Sequence, residues 1–196
     1  ISCRKYILKD KAGDLVLPSQ LDESWLKNVV DANFEKIKLL YIGRIKVEKG
    51  IYSLLEIIKG NSEIVLSIVG AEKDLSQKIN QNNVNVHEIE KNKQRLIKYY
   101  DDHNIFILPS FTEGHPMALL EALARRRPVI IFEEIKHVVG DKKGTFVSKR
   151  NLSSLIETIS YIKKNYSVIN EQMEQNKLPT NKDFIKEFGN LISNSS

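Results

Sequence analysis

The sequence predicts an α/β domain built on a doubly wound, six-stranded parallel sheet. Short apolar runs rich in β-branched residues alternate along the chain with segments whose apolar residues recur at helical spacing. The runs are apolar throughout, which is typical of parallel strands buried on both faces. Because crossovers between parallel strands are right-handed, this alternation places helices on both faces of the sheet.

The elements follow in chain order. Strands are predicted at 38–43, 63–70, 83–87, 105–108, 128–132 and 144–147. Helices are predicted at 49–59, near 74–80, at 94–100 and at 116–124. Beyond Leu152 the chain continues helical to about 162, breaks in a polar stretch at 165–180 that contains Pro179, and ends in an amphipathic helix from Phe184. Residues 14–17, ahead of Pro18, form a lead-in strand or a linker.

Composition indicates one globular domain. The 196 residues are 41% hydrophobic and 28% charged. No apolar run approaches the ~20 residues that a membrane span needs. The single cysteine, Cys3, excludes an internal disulfide framework and suits the reducing cytoplasm. Because the chain begins at Ile1 and has no apolar leader, we expect a piece of a longer cytoplasmic protein.

The net charge of +5 suits an anionic ligand or a membrane surface. The basic residues are dispersed, apart from one run at 125–127, Arg125-Arg126-Arg127. This run ends the helix predicted at 116–124, so it is either a solvated helix end favoured by the helix dipole or a patch for anions or a peripheral membrane contact. No interleaved aromatic residues accompany it, and no nucleic-acid partner is predicted.

Two carboxylates frame the start of the helix at 116–124. Glu121 lies inside an otherwise apolar helix, where a carboxylate is rarely buried without a partner, and Glu113 lies eight positions earlier. Pro116 suits the first helical position. The amides of the next three residues would then face an anion; they are Met117, Ala118 and Leu119. This pattern predicts a nucleotide-sugar pocket rather than a bare phosphate site.

The loops that follow strands 1 and 4 are predicted to meet. If the strand order is 3-2-1-4-5-6, strands 1 and 4 flank the point at which strand order reverses, where ligands bind. The loop at 43–50 carries Arg44 and Lys49 between Gly43 and Gly50. Two cations and the helix amides would balance a diphosphate and stabilise it as a leaving group.

Each of these residues also has a plainer interpretation. Arg44 and Lys49 are alternatively surface charges beside a turn. Glu113 alternatively favours the helix dipole, Glu121 pairs with a structural arginine, and His115 is an ordinary cap residue.

Several motifs together resemble the retaining glycosyltransferases of family 4, whose GT-B fold has two Rossmann-like domains. The motif residues are Glu113-Gly114-His115-Pro116, then Glu121-Ala122-Leu123, then Pro128-Val129-Ile130, which follow the family's E-x7-E pattern. Gly43-Arg44 with Lys49-Gly50 is similar to the family's G-R…K-G turn. Pro18 with Leu21-Asp22 resembles its interdomain segment, and the likeness covers about residues 14–165.

The resemblance implies a hexosyltransferase-class enzyme of polysaccharide biosynthesis. It implies that Glu113, Arg44 and Lys49 act catalytically, the two cations on the donor diphosphate and Glu113 on the donor sugar. Glu121 would accept hydrogen bonds from the ribose. The remaining donor contacts would come from Gly43, Gly114, His115, Met117, Ala118, Leu119 and, at the base, Glu88 and Ile89. No metal and no cofactor are expected beyond a UDP-, GDP- or ADP-sugar donor, and no aspartate-x-aspartate motif occurs.

The resemblance also implies the domain organisation. Residues 1–22 would be an interdomain linker or lead-in strand, 23–166 a Rossmann-like nucleotide-sugar-binding domain and 167–196 a C-terminal helical tail. This is the C-terminal half of a GT-B fold, so the N-terminal acceptor domain would be missing, and the chain alone would not transfer sugar to its glycan or lipid-linked acceptor at the inner membrane face.

Two residues depart from the family pattern, and two other functions stay open. His115 replaces a common aromatic residue. Arg126 replaces a glycine, so the following turn is expected to differ. The alternatives are a GT-B-fold sugar-nucleotide epimerase and a non-catalytic receiver-like module.

Overall fold

A computed structural model of the chain describes residues 19–72 and 79–194. The predicted lead-in segment at 14–17, Pro18, Cys3 and most of the helix predicted near 74–80 lie outside these residues.

Six parallel strands form one sheet in the order β3-β2-β1-β4-β5-β6. The strands are β1 (Ile37–Ile42), β2 (Ile64–Ala71), β3 (Val84–Glu88), β4 (Ile105–Leu108), β5 (Val129–Phe132) and β6 (Thr145–Ser148). The register places Leu40 of β1 beside Ser67 of β2 on one side and Phe106 of β4 on the other. Both the predicted strands and their predicted order are confirmed.

Helices connect and flank these strands. In the described residues they are α1 (Glu23–Leu26), α2 (Ile51–Ile57), α3 (Lys93–Asp101), α4 (Met117–Ala124), α5 (Leu152–Lys164), α6 (Tyr166–Glu174) and α7 (Asn181–Asn194), with 3-10 turns at Val47–Lys49 and Glu133–Val138. Every residue of β4 and β5 is buried, as expected for central strands covered on both faces. The core lies on both faces of the central strands, from β2 through β1 and β4 to β5.

The structure divides the helix predicted at 49–59. A 3-10 turn ends at Lys49, Gly50 adopts a left-handed conformation with φ of +66°, and α2 begins at Ile51. Glycine adopts this conformation without the steric cost that a side chain would carry.

A helix occupies part of the stretch at 165–180, which the sequence indicates only as a polar break. In α6 the two apolar residues Ile169 and Met173 are four positions apart and buried. The Met173 side chain lies where a Cβ on Gly144 would fall, at 2.3 Å from its Cγ, so the helix is tied to the start of β6. A short apolar stripe is enough to anchor a helix whose other faces are polar.

The two ends of the described chain meet. The Ser19 hydroxyl donates to the Pro179 carbonyl at 2.6 Å, and the Asn181 amide donates to the Leu21 carbonyl at 2.8 Å. The last predicted helix is confirmed as α7, on which Ile185 and Phe188 are exposed. In the described part of the chain, no helix has the length and apolarity needed to cross a bilayer.

Candidate functional site

The loops after β1 and β4 are in direct contact at the carboxyl edge of the sheet. An ideal Cβ on Gly50 would lie 1.9 Å from the Pro109 carbonyl oxygen, so no side chain fits there. The Phe111 amide donates to the Glu48 carbonyl at 3.0 Å and joins the same two loops. The predicted convergence at the reversal of strand order is therefore present.

A second glycine contact holds the end of β1 against β2. Gly70 has a φ of +120°, and a Cβ there would lie 2.5 Å from the Gly43 carbonyl oxygen. The Gly43 amide donates to the Val69 carbonyl at 2.9 Å. The backbone thus leaves β1 in a fixed direction before the two predicted cations.

Lys49 and Glu113 form an ion pair across the two loops. The Lys49 ammonium lies 2.7 Å from Oε1 of Glu113, and the Ser110 hydroxyl donates to the same oxygen at 2.7 Å. The Lys49 side chain is 25% exposed, whereas the Glu113 side chain is 9% exposed. A nearly buried carboxylate is therefore held in one place, and its lysine partner keeps access to solvent.

A cleft of about 200 Å³ opens beside this pair. It is lined by Tyr41, Ile42, Gly43, Lys49, Leu108, Glu113, His115, Pro116, Met117 and Ala118. The Tyr41 hydroxyl donates to the Arg44 carbonyl at 2.8 Å and holds the base of the loop. Burial and the Glu113 charge raise the pKa of Tyr41, so this hydroxyl stays protonated and remains a donor.

The start of α4 faces the cleft. Pro116 is the N-cap residue, in an extended conformation, rather than the first helical residue as predicted. Its carbonyl accepts the Leu119 amide at 3.2 Å, so the helix opens with a tight turn. Within the described residues, the amides of Met117 and Ala118 make no backbone hydrogen bond. Both residues line the cleft, where their amides can meet an anion.

Glu121 is buried behind the cleft and does not line it. Its Oε2 accepts a hydrogen bond from the Tyr100 hydroxyl at 2.8 Å, so its partner is a tyrosine and not the structural arginine considered from the sequence. Burial raises the pKa of Glu121, and the Tyr100 hydrogen bond partly opposes that rise. Burial and this carboxylate raise the pKa of Tyr100 well above its ordinary value.

The other predicted site residues lie outside the cleft lining. Arg44 is exposed on the loop that borders the cleft. Leu119 lies one residue beyond the lining, and Gly114 lies in the turn before α4. Glu88 and Ile89 are exposed at the end of β3, two strands away from β1. In the described residues, no group of three or more acidic, histidine or cysteine side chains is arranged to hold a metal ion.

The basic run at 125–127 contradicts both interpretations offered for it. Arg125 and Arg127 are each 1% exposed, so they are neither a solvated helix end nor a membrane patch. Arg125 forks onto the Asp101 carboxylate at 2.9 and 2.8 Å. Its remaining N–H groups donate to the carbonyls of Trp25, Lys27 and Asn28.

Arg127 completes this buried cluster. It donates to the carbonyls of Tyr100 and Val30, each at 2.8 Å. Arg126 between them has a φ of +50° and pairs with Glu174 at 3.0 Å. Arg126 therefore adopts the left-handed conformation that normally favours glycine, the residue that the family pattern has at this position.

Two residues near the site were missed from the sequence. His137 lies within 3.0 Å of the Glu113 carbonyl through Nε2. Arg150, after β6, reaches the Ser110 carbonyl at 3.4 Å. Neither lies in a recognisable motif, and only its position after a predicted strand could have drawn attention to Arg150.

Comparison with known proteins identifies relatives over most of the chain. A family model described as "Glycosyl transferases group 1" matches residues 24–178. A Bacillus subtilis (strain 168) protein, provisionally named teichuronic acid biosynthesis glycosyltransferase TuaC, is 30% identical over 129 residues, which are 62% of this chain and 31% of that protein. The capsular polysaccharide biosynthesis glycosyltransferase CapM of Staphylococcus aureus is 29% identical over 133 residues, 61% of this chain and 34% of that protein. The chain spans about a third of the length of these relatives.

Solved structures share the fold. Sucrose-phosphate synthase from Thermosynechococcus elongatus superposes with a TM-score of 0.77 at 19% identity, covering 97% of this chain and 55% of that one. HepE of Anabaena, solved in complex with UDP and glucose, superposes with a TM-score of 0.69 at 13% identity, covering 92% and 56%. At these identities the likeness shows the fold alone, a Rossmann-like α/β domain of the kind found in GT-B glycosyltransferases.

Proposed function

This chain belongs to the glycosyl transferases group 1 family, and from that premise we propose that it is the donor-binding domain of a retaining glycosyltransferase. Its ligand would be a nucleoside diphosphate sugar, with uridine, guanosine or adenosine as the base. The whole enzyme would transfer the sugar to a glycan or lipid-linked acceptor.

One observation carries this proposal above the others. Lys49, Glu113 and the start of α4 border one cleft at the reversal of strand order, the place where an open α/β sheet binds ligands. A cation, a nearly buried carboxylate and free helix amides fit the two ends of a sugar diphosphate. A bare phosphate would need no carboxylate beside it.

The Lys49–Glu113 pair suggests how the cleft receives a donor. Before binding, the two charges neutralise each other at 2.7 Å. We infer that the Lys49 ammonium moves to the diphosphate, since a lysine head group is a mobile point charge on a flexible stem. Glu113 stays held by Ser110 and then accepts a hydrogen bond from a sugar hydroxyl.

The same groups would stabilise the leaving group. In the transfer, the bond between the anomeric carbon and a diphosphate oxygen breaks and its electron pair leaves on that oxygen. An acceptor hydroxyl oxygen bonds to the anomeric carbon, and its proton passes to the departing diphosphate. Lys49, Arg44 and the amides of Met117 and Ala118 would stabilise the charge that develops there. Fixed donors aimed at developing charge are commonly the largest contribution to such catalysis.

The nucleoside would lie on the β3 side of the diphosphate. Glu121 presents one carboxylate oxygen to Tyr100, and we infer that the other accepts a ribose hydroxyl. Glu88 and Ile89 would border the base from the end of β3. For Glu121 this requires a small rearrangement, because its side chain lies behind the cleft lining.

The acceptor side is inferred from the relatives. Two of them are named for teichuronic acid and capsular polysaccharide biosynthesis, and we propose a comparable polysaccharide role, carried out in the cytoplasm. The acceptor would be held by a further domain. Burial of Arg125 and Arg127 removes the basic run as support for a membrane contact.

A thermal-shift screen tests the proposal. The chain is heated with the diphosphates UDP, GDP and ADP, with the monophosphate CMP and with the sugar conjugates of all four. The monophosphates that match the three diphosphates are measured in parallel. A bound nucleoside diphosphate at ~100 times its Kd should add about 2.7 kcal/mol of stability. Equal shifts with monophosphates, or no shift with any diphosphate, would contradict the proposed diphosphate site and with it the proposed function.

A further inference from the structure

Arg150 lies beside the two loops that carry Lys49 and Glu113, although no motif includes it. It follows β6 at the carboxyl edge of the sheet. Its guanidinium carbon lies over two aromatic rings, 4.1 Å from the Phe111 centroid and 4.3 Å from the Phe132 centroid. Phe111 belongs to the loop after β4, and Phe132 ends β5.

A carboxylate fixes the plane of this guanidinium. Arg150 donates to Glu134 through Nε at 2.7 Å and through Nη2 at 3.1 Å. A forked pair of charged hydrogen bonds together with cation–π contacts to two rings restricts the orientation of the group. The Arg150 side chain is 15% exposed and its partner Glu134 is 36% exposed, so the arginine is the more shielded member of the pair.

The remaining edge of the guanidinium faces the site loops. Nη2 lies 3.4 Å from the Ser110 carbonyl, and the Ser110 hydroxyl holds the Glu113 carboxylate. Nη1 lies 3.2 Å from the position of a Cβ on Gly50, the residue that follows Lys49. One rigid side chain therefore packs against the backbone next to both partners of the Lys49–Glu113 pair.

We propose that Arg150 is a positioning residue that docks the turn carrying Lys49 onto the loop carrying Glu113. It acts through the backbone at Gly50 and Ser110 and does not touch the donor. Its importance for donor binding rests on the proposed function of these two loops. Lysine cannot replace it, because an ammonium group can neither fork onto Glu134 nor lie as a plane over an aromatic ring.

The first arm of the test needs no ligand. The Phe111 amide bonds to the Glu48 carbonyl across the two loops, so its hydrogen exchange reports their docking. The Phe106 amide, which donates to Pro128 within the central sheet, is the internal reference. The variants are Arg150→Lys and Arg150→Ala, and Arg95→Ala, an arginine with a 74% exposed side chain on α3, is the matched control.

We expect Arg150→Lys to lower the protection of the Phe111 amide about tenfold relative to the Phe106 amide. Arg95→Ala should change neither. If Arg150→Ala does not fold, Arg150→Lys decides alone. Unchanged relative protection of Phe111 in Arg150→Lys would overturn the proposal.

The second arm measures the affinity of whichever nucleoside diphosphate stabilises the parent chain. Arg150→Lys should weaken it about tenfold, and this loss should vanish when Lys49 is already replaced by Met, because the effect passes through Lys49. The same fold loss in both backgrounds would mean a merely structural role and would overturn the proposal. If the parent binds no nucleoside diphosphate, the proposed function fails, and the exchange arm still decides the role of Arg150.

Discussion

Two clusters, each of oppositely charged side chains in ion pairs, lie at opposite ends of the sheet. At the amino ends of the strands, Arg125 and Arg127 surround Asp101 and are 1% exposed. At the carboxyl ends, Lys49 pairs with Glu113 beside an open cleft, and its side chain is 25% exposed. Both clusters join segments that are distant in the sequence, yet they differ in how completely their polar groups are used.

The difference lies in the spare capacity of each cation. The N–H groups of Arg125 all donate to one carboxylate or to three backbone carbonyls. A small anion that displaced these acceptors would leave them buried without a hydrogen bond. Lys49 makes one pair, and a lysine has three rotatable donors. The arginine cluster therefore holds the fold, and the lysine pair is suited to exchange its partner for a ligand.

The largest effect should come from breaking the closed cluster. Arg125→Ala leaves Asp101 and three carbonyls without their partner, and we expect the free energy of unfolding to fall by about 3–5 kcal/mol. Urea unfolding measures it. The neighbouring Arg126→Ala, which removes only a 29% exposed side chain, is the control. A loss below 1 kcal/mol in Arg125→Ala, or an equal loss in both variants, would contradict the structural role.

Breaking the Lys49–Glu113 pair should affect ligand binding more than stability. Lys49→Met should lower stability by only about 1 kcal/mol, as for partly exposed pairs. It should weaken nucleoside diphosphate binding by about 1.5–3 kcal/mol, the value of a lost charged hydrogen bond. Calorimetric titration provides the affinity, with the exposed Lys46→Met on the same loop as control. Equal affinities in the parent and in Lys49→Met would mean that the Lys49–Glu113 pair takes no part in nucleotide binding.

Replacing Glu121 tests whether this buried carboxylate contributes to stability or to ligand binding. Because burial raises its pKa in the folded chain, the folded state holds the proton more tightly than the unfolded state. The free energy of unfolding should therefore fall as the pH rises from the ordinary value of 4.5 through the raised pKa, and then level off. Glu121→Gln removes this titration while keeping an acceptor for Tyr100.

The expected outcome for Glu121→Gln is a gain in stability relative to the parent that grows with pH across that window. Its nucleotide affinity should fall by about 1.5 kcal/mol. Unfolding curves at several pH values and one titration at neutral pH measure the two effects. Unchanged affinity in a folded variant would exclude the ribose contact, and a parallel pH dependence in both proteins would exclude the raised pKa.

The smallest effect concerns Arg126. Replacing it by glycine relieves about 1–2 kcal/mol of left-handed strain and adds about 0.4–1 kcal/mol of unfolded-chain entropy, so Arg126→Gly should gain roughly 0.5 kcal/mol. Thermal unfolding checks the sign, with Glu174→Gln as control for the lost ion pair. A destabilised Arg126→Gly alongside a neutral Glu174→Gln would mean that the side chain holds the turn by packing.

These two ends also differ in how far the sequence predicts them. The strands follow from apolar runs, whereas their order and the meeting of the loops around Lys49 and Glu113 follow from the general topology of doubly wound sheets. The burial of Arg125 does not, because its carbonyl partners lie near residue 27 and its carboxylate at Asp101. A run of three arginines looks solvated until the fold brings those acceptors around it.

The role proposed for Arg150 could not be predicted from the sequence for the same reason. Its aromatic and acidic partners come from two segments that are distant from it in the chain, the loop after β4 with Phe111 and the end of β5 with Phe132 and Glu134. The helix at 166–174 was missed because two apolar residues four positions apart carry little weight within a polar stretch.

Amide chemical-shift mapping distinguishes the two ends most directly. The chain is titrated with the nucleoside diphosphate that stabilises it and, separately, with the matching monophosphate. We predict that the diphosphate shifts amides at 43–50 and 109–121 and leaves those at 99–103 and 125–128 in place, with smaller shifts for the monophosphate. Shifts centred on the arginine cluster, or an identical map for both nucleotides, would contradict the assignment of the open end of the sheet to the donor diphosphate.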